Sequence, residues 1–235
     1  MAQVLAVLGS SRPSHRIRRM LLPVVVGAAA WLSASAAPPA GCSAATPPVW
    51  PARFKVLQRK IPARDPNCSN GGCSNVTTFY DWERQANLIV DSPDRLGPNA
   101  TLWDLELGNH RSYYFHPATR ECNFIHFEVG ILRPNWLDNA EYLGVSTVNG
   151  RRVHGWTKVD FIDYYADVHD CTPVRWYFHT MQASFDTVAY FESEAVPDVS
   201  FFEPPSYCPN RTANATTSSS PSGAGGMAEP TMYVI

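Results

Sequence analysis

The chain has 235 residues, 45% of them hydrophobic, and a formal net charge of −2, enough for one large domain or two small ones. Four of its 19 Lys and Arg residues (Arg12, Arg16, Arg18 and Arg19) precede the first apolar run; without them 15 basic residues face 21 acidic ones, about −6. No basic patch then remains to attract nucleic acid or an acidic lipid surface through net charge.

Residues 1–36 read as a secretory signal peptide. The four arginines form a basic region, "MLLPVVVGAAAWLSASAA" supplies the apolar run, and Ala34-Ser35-Ala36 fits a small-x-small cleavage site. An uncleaved signal anchor in the endomembrane system is the rival reading. Pro23 and the Ala/Ser-rich end favour cleavage, which leaves no membrane span. Residues 37–51, with "PPAGCSAATPPVW", form a Pro-rich, extended lead-in. Residues 209–235 are poor in apolar side chains and rich in Ser, Thr and Gly, so a disordered tail is expected. The folded domain is therefore placed at 52–208.

Within it the apolar pattern alternates and turn residues recur. "FKVLQRKI" (54–61) reads as a strand, and "TTFYDWERQANLIVDS" (77–92) as another. "TLWDLELG" and "RSYYFHP" flank Gly108-Asn109-His110 and read as a hairpin. "CNFIHFEVGIL" continues the meander. Asn149-Gly150 is the strongest hairpin signal in the chain. "PVRWYFHTM" and "SFDTVAYFESEAV" follow the turn at Cys171-Thr172-Pro173. One short helix is expected at "NWLDNAEYLG" (135–144), capped by Asn135 and ended by Gly144. The fold expected is mainly β: a single curved antiparallel sheet of about eight to ten strands, as a half-barrel or two-layer arrangement, with that one helix.

Six cysteines (Cys42, Cys68, Cys73, Cys122, Cys171, Cys208) and five N-x-[ST] sites (Asn67, Asn75, Asn99, Asn210, Asn214) fit an oxidising, glycosylating compartment, secreted or in the cell wall. Cys68 and Cys73 bracket the flexible "SNGG" and can close a local disulfide, although each could instead pair at long range; the pairing of the others is open. No zinc site is expected, because Cys-x4-Cys has no second matching pair.

Two longer stretches carry a resemblance. "ECNFIHFEVGILRPNWLDNAEYLG", with "WTKVDFIDYYADV", "PVRWYFHT" and "PSYC", closely resembles a family of plant secreted proteins of unknown role, often labelled "transferring glycosyl group transferase". More remotely, the order of "FYDWERQANLIV", "YYFHPATREC" and "DVHDCTPVRW" is similar to ependymin-related proteins. That resemblance implies a secreted, disulfide-bonded antiparallel sheet with a hydrophobic pocket, similar to half-barrel lipoprotein carriers.

Aromatic density on alternating strands, with this ependymin-like order, gives the ligand-binding candidates Trp82, Trp103, Tyr114, Phe127, Trp156, Tyr165, Trp176 and Phe178. The expected occupant is a small apolar, lipid-like or amphipathic molecule, or cell-wall carbohydrate, and no cofactor is expected. The catalytic candidates are His126 and Glu128, two apart on one strand face and able to hold a proton between acid and base. The same alternation is also what a half-buried strand requires. Asp160, Asp163, Asp167, His169 and Asp170 offer metal-type donors but lack the spacing of a calcium loop, so they read as strand-end carboxylates and no metal is expected. Asp-x-Asp is absent; Asp104-Leu105-Glu106, the nearest approach, lies mid-strand beside Trp103. The leading reading is a ligand-binding glycoprotein. The alternatives are a carbohydrate-active enzyme, as the family label implies, and a structural or signalling surface glycoprotein.

Overall fold

Alternating burial organises the strands of the computed structural model, which describes residues 42–44, 46–127, 130–192 and 198–209. The signal-peptide region, Asn210, Asn214 and nearly all of the C-terminal tail lie outside the described residues. Strand β1 (Arg53–Pro62) buries Phe54, Val56 and Gln58 and leaves the residues between them half-exposed. Ten more follow: β2 (Ser74–Asp81), β3 (Ala86–Pro93), β4 (Leu102–Leu107), β5 (Arg111–His116), β6 (Glu121–His126), β7 (Glu141–Val148), β8 (Arg151–Lys158), β9 (Ile162–Asp167), β10 (Pro173–Phe178) and β11 (Ala183–Glu192). They form one open antiparallel sheet of eleven strands in the order β6-β5-β4-β3-β2-β1-β11-β10-β9-β8-β7. Two meanders, β1–β6 and β7–β11, are thus joined where β1 pairs with β11.

This order puts β6 and β7 at opposite edges, although they are consecutive in the chain. Laid flat, ten strand spacings of ~4.8 Å would separate them by ~48 Å. The 127–140 connection could cross that distance only if fully extended. It does not run so: Trp136, Asp138 and Ala140 each donate a backbone bond three residues back, to Arg133, Asn135 and Leu137 (2.9–3.0 Å). The sheet therefore curls, and the connection crosses its concave face. The Tyr80 hydroxyl donates to the Leu132 carbonyl (2.8 Å), and the Trp50 amide donates to the Pro134 carbonyl (2.9 Å), fastening the crossing down.

Three local expectations change. The helix expected over 135–144 does not form. Its first half is a run of turns closed by those three bonds, with Asn139 at φ 62°, and its second half belongs to edge strand β7. The capping signals at Asn135 and Gly144 were outweighed by burial of Trp136 and Leu137 under the crossing and by pairing of β7 with β8. The segment 77–92 is two strands rather than one. The buried Asp81 carboxylate accepts the Arg84 amide (3.0 Å) and Gln85 takes φ 53°, so a tight turn forms with neither Gly nor Pro. The strand beginning at "CNFIHF" ends at His126, and the strand total is eleven. At Asn149-Gly150 both residues have positive φ (50° and 77°), as a two-residue turn matching strand twist requires.

The three disulfides are Cys42–Cys171, Cys68–Cys73 and Cys122–Cys208. Cys68–Cys73 closes a loop whose amides at Ser69 and Asn70 are held by the buried Asp65 carboxylate (2.9 and 2.8 Å). Cys122–Cys208 pins the segment after the 3-10 turn Val199–Phe202 over the convex face of β3–β5. There Phe202 and Tyr207 join a core built on Leu88, Leu105, Tyr113 and Phe115. The larger core lies on the concave face and includes Phe54, Tyr80, Trp136, Trp156, Tyr164 and Trp176.

Candidate functional site

The curl and the crossing border a partly open cavity of about 560 Å³ on the concave face. That is the size range of small-molecule sites, roughly 300–1,000 Å³. Strand register explains which side chains reach it. Because successive residues face opposite sides, paired positions line up as rows across the sheet. One row runs Phe54–Tyr80–Asn87–Glu106–Ser112–Ile125, and the next runs Val56–Thr78–Ile89–Asp104–Tyr114–Asn123. A third carries Gln58–Val76–Asp91–Leu102. On β3–β6 these rows present amides, hydroxyls and carboxylates to the cavity. On β9–β11 the lining is Ile162, Trp176, Phe178 and Phe185. The cavity thus has a polar wall and an apolar wall.

The polar wall is partly self-paired. Lys60 Nζ meets the Asp91 carboxylate at 2.7 Å. Asn87 Nδ2 donates to Glu106 (2.8 Å), and the Tyr114 hydroxyl hydrogen-bonds Asp104. Removal from water raises the Asp104 carboxyl well above the ordinary carboxylate range; the neighbouring Glu106 charge adds to this and the Tyr114 bond opposes it. Glu106 is raised by the same loss of water, opposed by Asn87. Both residues are half-exposed by surface area, and the surface they show faces the cavity rather than the outer surface of the sheet. Tyr114 is raised too, first by burial and then by these carboxylates.

Trp50 covers the aromatic end. Its ring lies 5.1 Å from Phe54, 5.3 Å from both Tyr80 and Trp136, 5.5 Å from Trp176 and 6.4 Å from Tyr164. Its Nε1 donates to the Tyr164 hydroxyl (3.2 Å). The sequence assigned Trp50 to the lead-in, yet it lines the cavity, and Cys42 upstream is buried and bonded to Cys171.

Of the eight aromatic candidates, Tyr114, Phe127, Trp176 and Phe178 line the cavity. Trp82 is half-buried at the edge of the concave core, and Trp156 is fully buried within it. Trp103 and Tyr165 face the convex side, Trp103 against Phe201 and Tyr165 near Val153. His126 is exposed on that same convex side, its ring stacked 5.9 Å from His110, while its neighbours Ile125 and Phe127 point inward. Glu128 lies outside the described residues. The acidic stretch after β8 is dispersed: Asp163 pairs with His179 (2.8 Å), Asp167 pairs with Arg151 (2.8 Å), and Asp170 accepts the Thr172 amide (2.9 Å). Asn67, Asn75 and Asn99 are exposed. Among the described residues no helix is long and apolar enough to cross a membrane.

Sequence reasoning passed over Gln58, Asn87, Asp104 and Glu106 as site residues. The signal available was the strict alternation of "LWDLEL" in β4.

Fold and cavity together define a class: an open, disulfide-braced antiparallel sheet with an inward-facing cavity of two unlike walls. Within it, the chain belongs to the family described as Domain of unknown function (DUF8395), whose model matches residues 49–208. That span runs from just before Trp50 to Cys208. No curated protein matches the chain. Among solved structures it is similar to an uncharacterized conserved protein from Thermus thermophilus, at 7% identity and a TM-score of 0.42, over 62% of this chain and 81% of that one.

Proposed function

We propose that this protein is a secreted, disulfide-bonded glycoprotein that holds an apolar or amphipathic small molecule in the concave cavity. The observation that carries the reading is the cavity itself: about 560 Å³, bordered by the sheet, the crossing and Trp50, with Ile162, Trp176, Phe178 and Phe185 along one side. Transfer of apolar ligand surface onto such a wall contributes roughly 25 cal/mol per Å² before the costs of association. Three disulfides and the solvent-accessible Asn67, Asn75 and Asn99 support an oxidising, glycosylating compartment. A carbohydrate-active enzyme would have to use Asp104 and Glu106, the carboxylates of the cavity that Lys60 does not neutralise. The apolar wall beside that pair favours holding a ligand over water-dependent chemistry.

The test is titration of the purified protein with N-phenyl-1-naphthylamine, an apolar dye that fluoresces when bound. Saturable one-to-one binding is expected. Phe178→Asp should weaken it by roughly tenfold or more, since a carboxylate would enter the apolar wall. Val159→Asn, at an 80% exposed turn residue, should leave it unchanged. Absence of saturable binding, or equal loss in both variants, overturns the proposal.

A further inference from the structure

Resting on the reading that the cavity holds an amphipathic ligand, we propose that its head group is a protonated amine, seated on Asp104 and Glu106 with its tail along Trp176, Phe178 and Phe185. The first observation is the kind of hydrogen-bonding capacity left open. Among the described residues lining the cavity, four buried acceptors have no partner within the protein: Gln58 Oε1, Asn87 Oδ1, Asp91 Oδ1 and Asp104 Oδ1. One unpartnered donor, Trp176 Nε1, lies on the other wall. Gln58 is only 2% exposed, and its amide nitrogen is already turned to the Phe185 carbonyl (3.4 Å), so its oxygen is the atom left unpaired. The Asn87 amide is oriented in the same sense by its bond to Glu106. Asn87, Asp91 and Asp104 stand on β3 and β4 in the polar wall, while Gln58 lies on β1. Buried polar groups are nearly always paired, so acceptors left open call for a partner rich in donors.

The second observation is charge. The cavity lining carries Lys60, Asp91, Asp104 and Glu106. Lys60 is neutralised by Asp91, and no described Lys, Arg or His lies in ion-pair range of Asp104 or Glu106. A cation between these two would supply the missing countercharge. An alkyl ammonium offers three donors and no acceptor, which suits the open atoms of this wall.

The third is placement. Asp104 and Glu106 are two apart on β4, hence on one face with Cα atoms ~6.5–7 Å apart, a span that one ammonium can bridge. Asn87 stands opposite Glu106, and Tyr114 opposite Asp104. The apolar wall lies on β9–β11, beyond β2 and β1 in the strand order, so head and tail sites occupy different strands of the same concavity. A fatty carboxylate would set its charge against two carboxylates. A neutral alcohol would fill some acceptors but would not stabilise the ionised form of the pair. The upward displacement of both carboxyls by burial agrees with this, since a bound cation is what would restore their charged form.

The experiment compares a long straight-chain alkyl amine, the matching alcohol and the matching carboxylate, each below its micelle concentration, binding to the full chain at neutral pH by calorimetry. The amine is expected to bind roughly tenfold or more tighter than either of the others. In the Asp104→Asn/Glu106→Gln double variant this preference should fall to about threefold or less, while alcohol affinity stays within about twofold. The single variants, checked by circular dichroism, carry the same comparison should the double variant fold poorly; each should reduce the preference by roughly threefold. Equal binding of amine and alcohol, or an amine preference that survives both substitutions, overturns the head-group inference and leaves the ligand-holding reading standing. Failure of all three probes overturns both.

Discussion

Trp50 gives the sharpest test of how the cavity is built, because it precedes the first strand and yet touches five aromatic rings at 5.1–6.4 Å. Truncation of a buried Trp to Ala costs ~3–5 kcal/mol, and because Trp50 is half-buried its packing loss falls at ~3 kcal/mol. The lost Nε1 bond removes one donor from the hydroxyl of Tyr164, itself 1% exposed, which adds ~1 kcal/mol. Trp50→Ala should therefore lower unfolding free energy by ~4 kcal/mol. Trp50→Phe keeps a ring in the cluster and loses the N–H and part of the area, so ~1–2 kcal/mol is expected. Urea unfolding followed by far-UV circular dichroism measures both, since intrinsic fluorescence would change with the Trp itself. The midpoint should fall in the order wild type, Trp50→Phe, Trp50→Ala, with the slope preserved. A Trp50→Ala loss below ~1 kcal/mol, or equal losses in the two variants, would refute the claim that Trp50 is part of the wall.

Two further outcomes follow from the same geometry. Because burial raises Asp104 and Glu106, the folded state binds more protons than the unfolded chain between the unfolded carboxylate values, ~3.9 and ~4.3, and the raised folded ones. Their contribution is thus most favourable below the unfolded values and is lost as pH rises through the folded ones, so Asp104→Asn/Glu106→Gln should be more stable than wild type at about pH 8, with the gain shrinking toward pH 4; thermal melts showing a pH-independent difference would contradict this. Removing Cys122–Cys208 by double Ser substitution releases an 86-residue separation, against 5 residues for Cys68–Cys73. Loop entropy gives upper limits of ~4.6 and ~2 kcal/mol, and denaturant titrations that reverse this order would show that the C-terminal cover does not depend on its crosslink.

What the sequence disclosed and what it withheld divide along one physical line. Periodicity and turn chemistry are local, so β1, the Asn149-Gly150 hairpin and the alternation of β4 could be read directly. Alternation defines two faces of a strand but not which face turns inward. In "LWDLEL" the apolar residues Trp103 and Leu105 suggest the inside by hydropathy. They do lie in a core, but it is the convex one, closed by Phe201, Phe202 and Tyr207 from the far end of the chain. The polar residues Asp104 and Glu106 face the cavity as a result. That reversal depends on a segment nearly a hundred positions away held by Cys122–Cys208, and no window around β4 contains it. Trp50 and the false helix at 135–144 share this cause, for both are decided by what crosses the concave face.

The "HFEVGILRPNW" segment is where these long-range decisions meet. It places Phe127 inside, like Ile125 just before it, and His126 outside, which separates the imidazole from the cavity acids. Its Arg-Pro-Asn-Trp break follows from topology: β6 and β7 sit at opposite edges, so the chain must leave the sheet and return across its mouth. A connection that ran around the rim would leave the concave core open to water. Crossing the mouth instead buries Ile131, Trp136 and Leu137 and hands the Leu132 and Pro134 carbonyls to Tyr80 and Trp50. The crossing is fastened at the aromatic end, while Phe127 and Gly130 border the cavity near the polar strands. The crossing is also held beside the polar strands, where the Phe127 amide donates to the His110 carbonyl (3.1 Å).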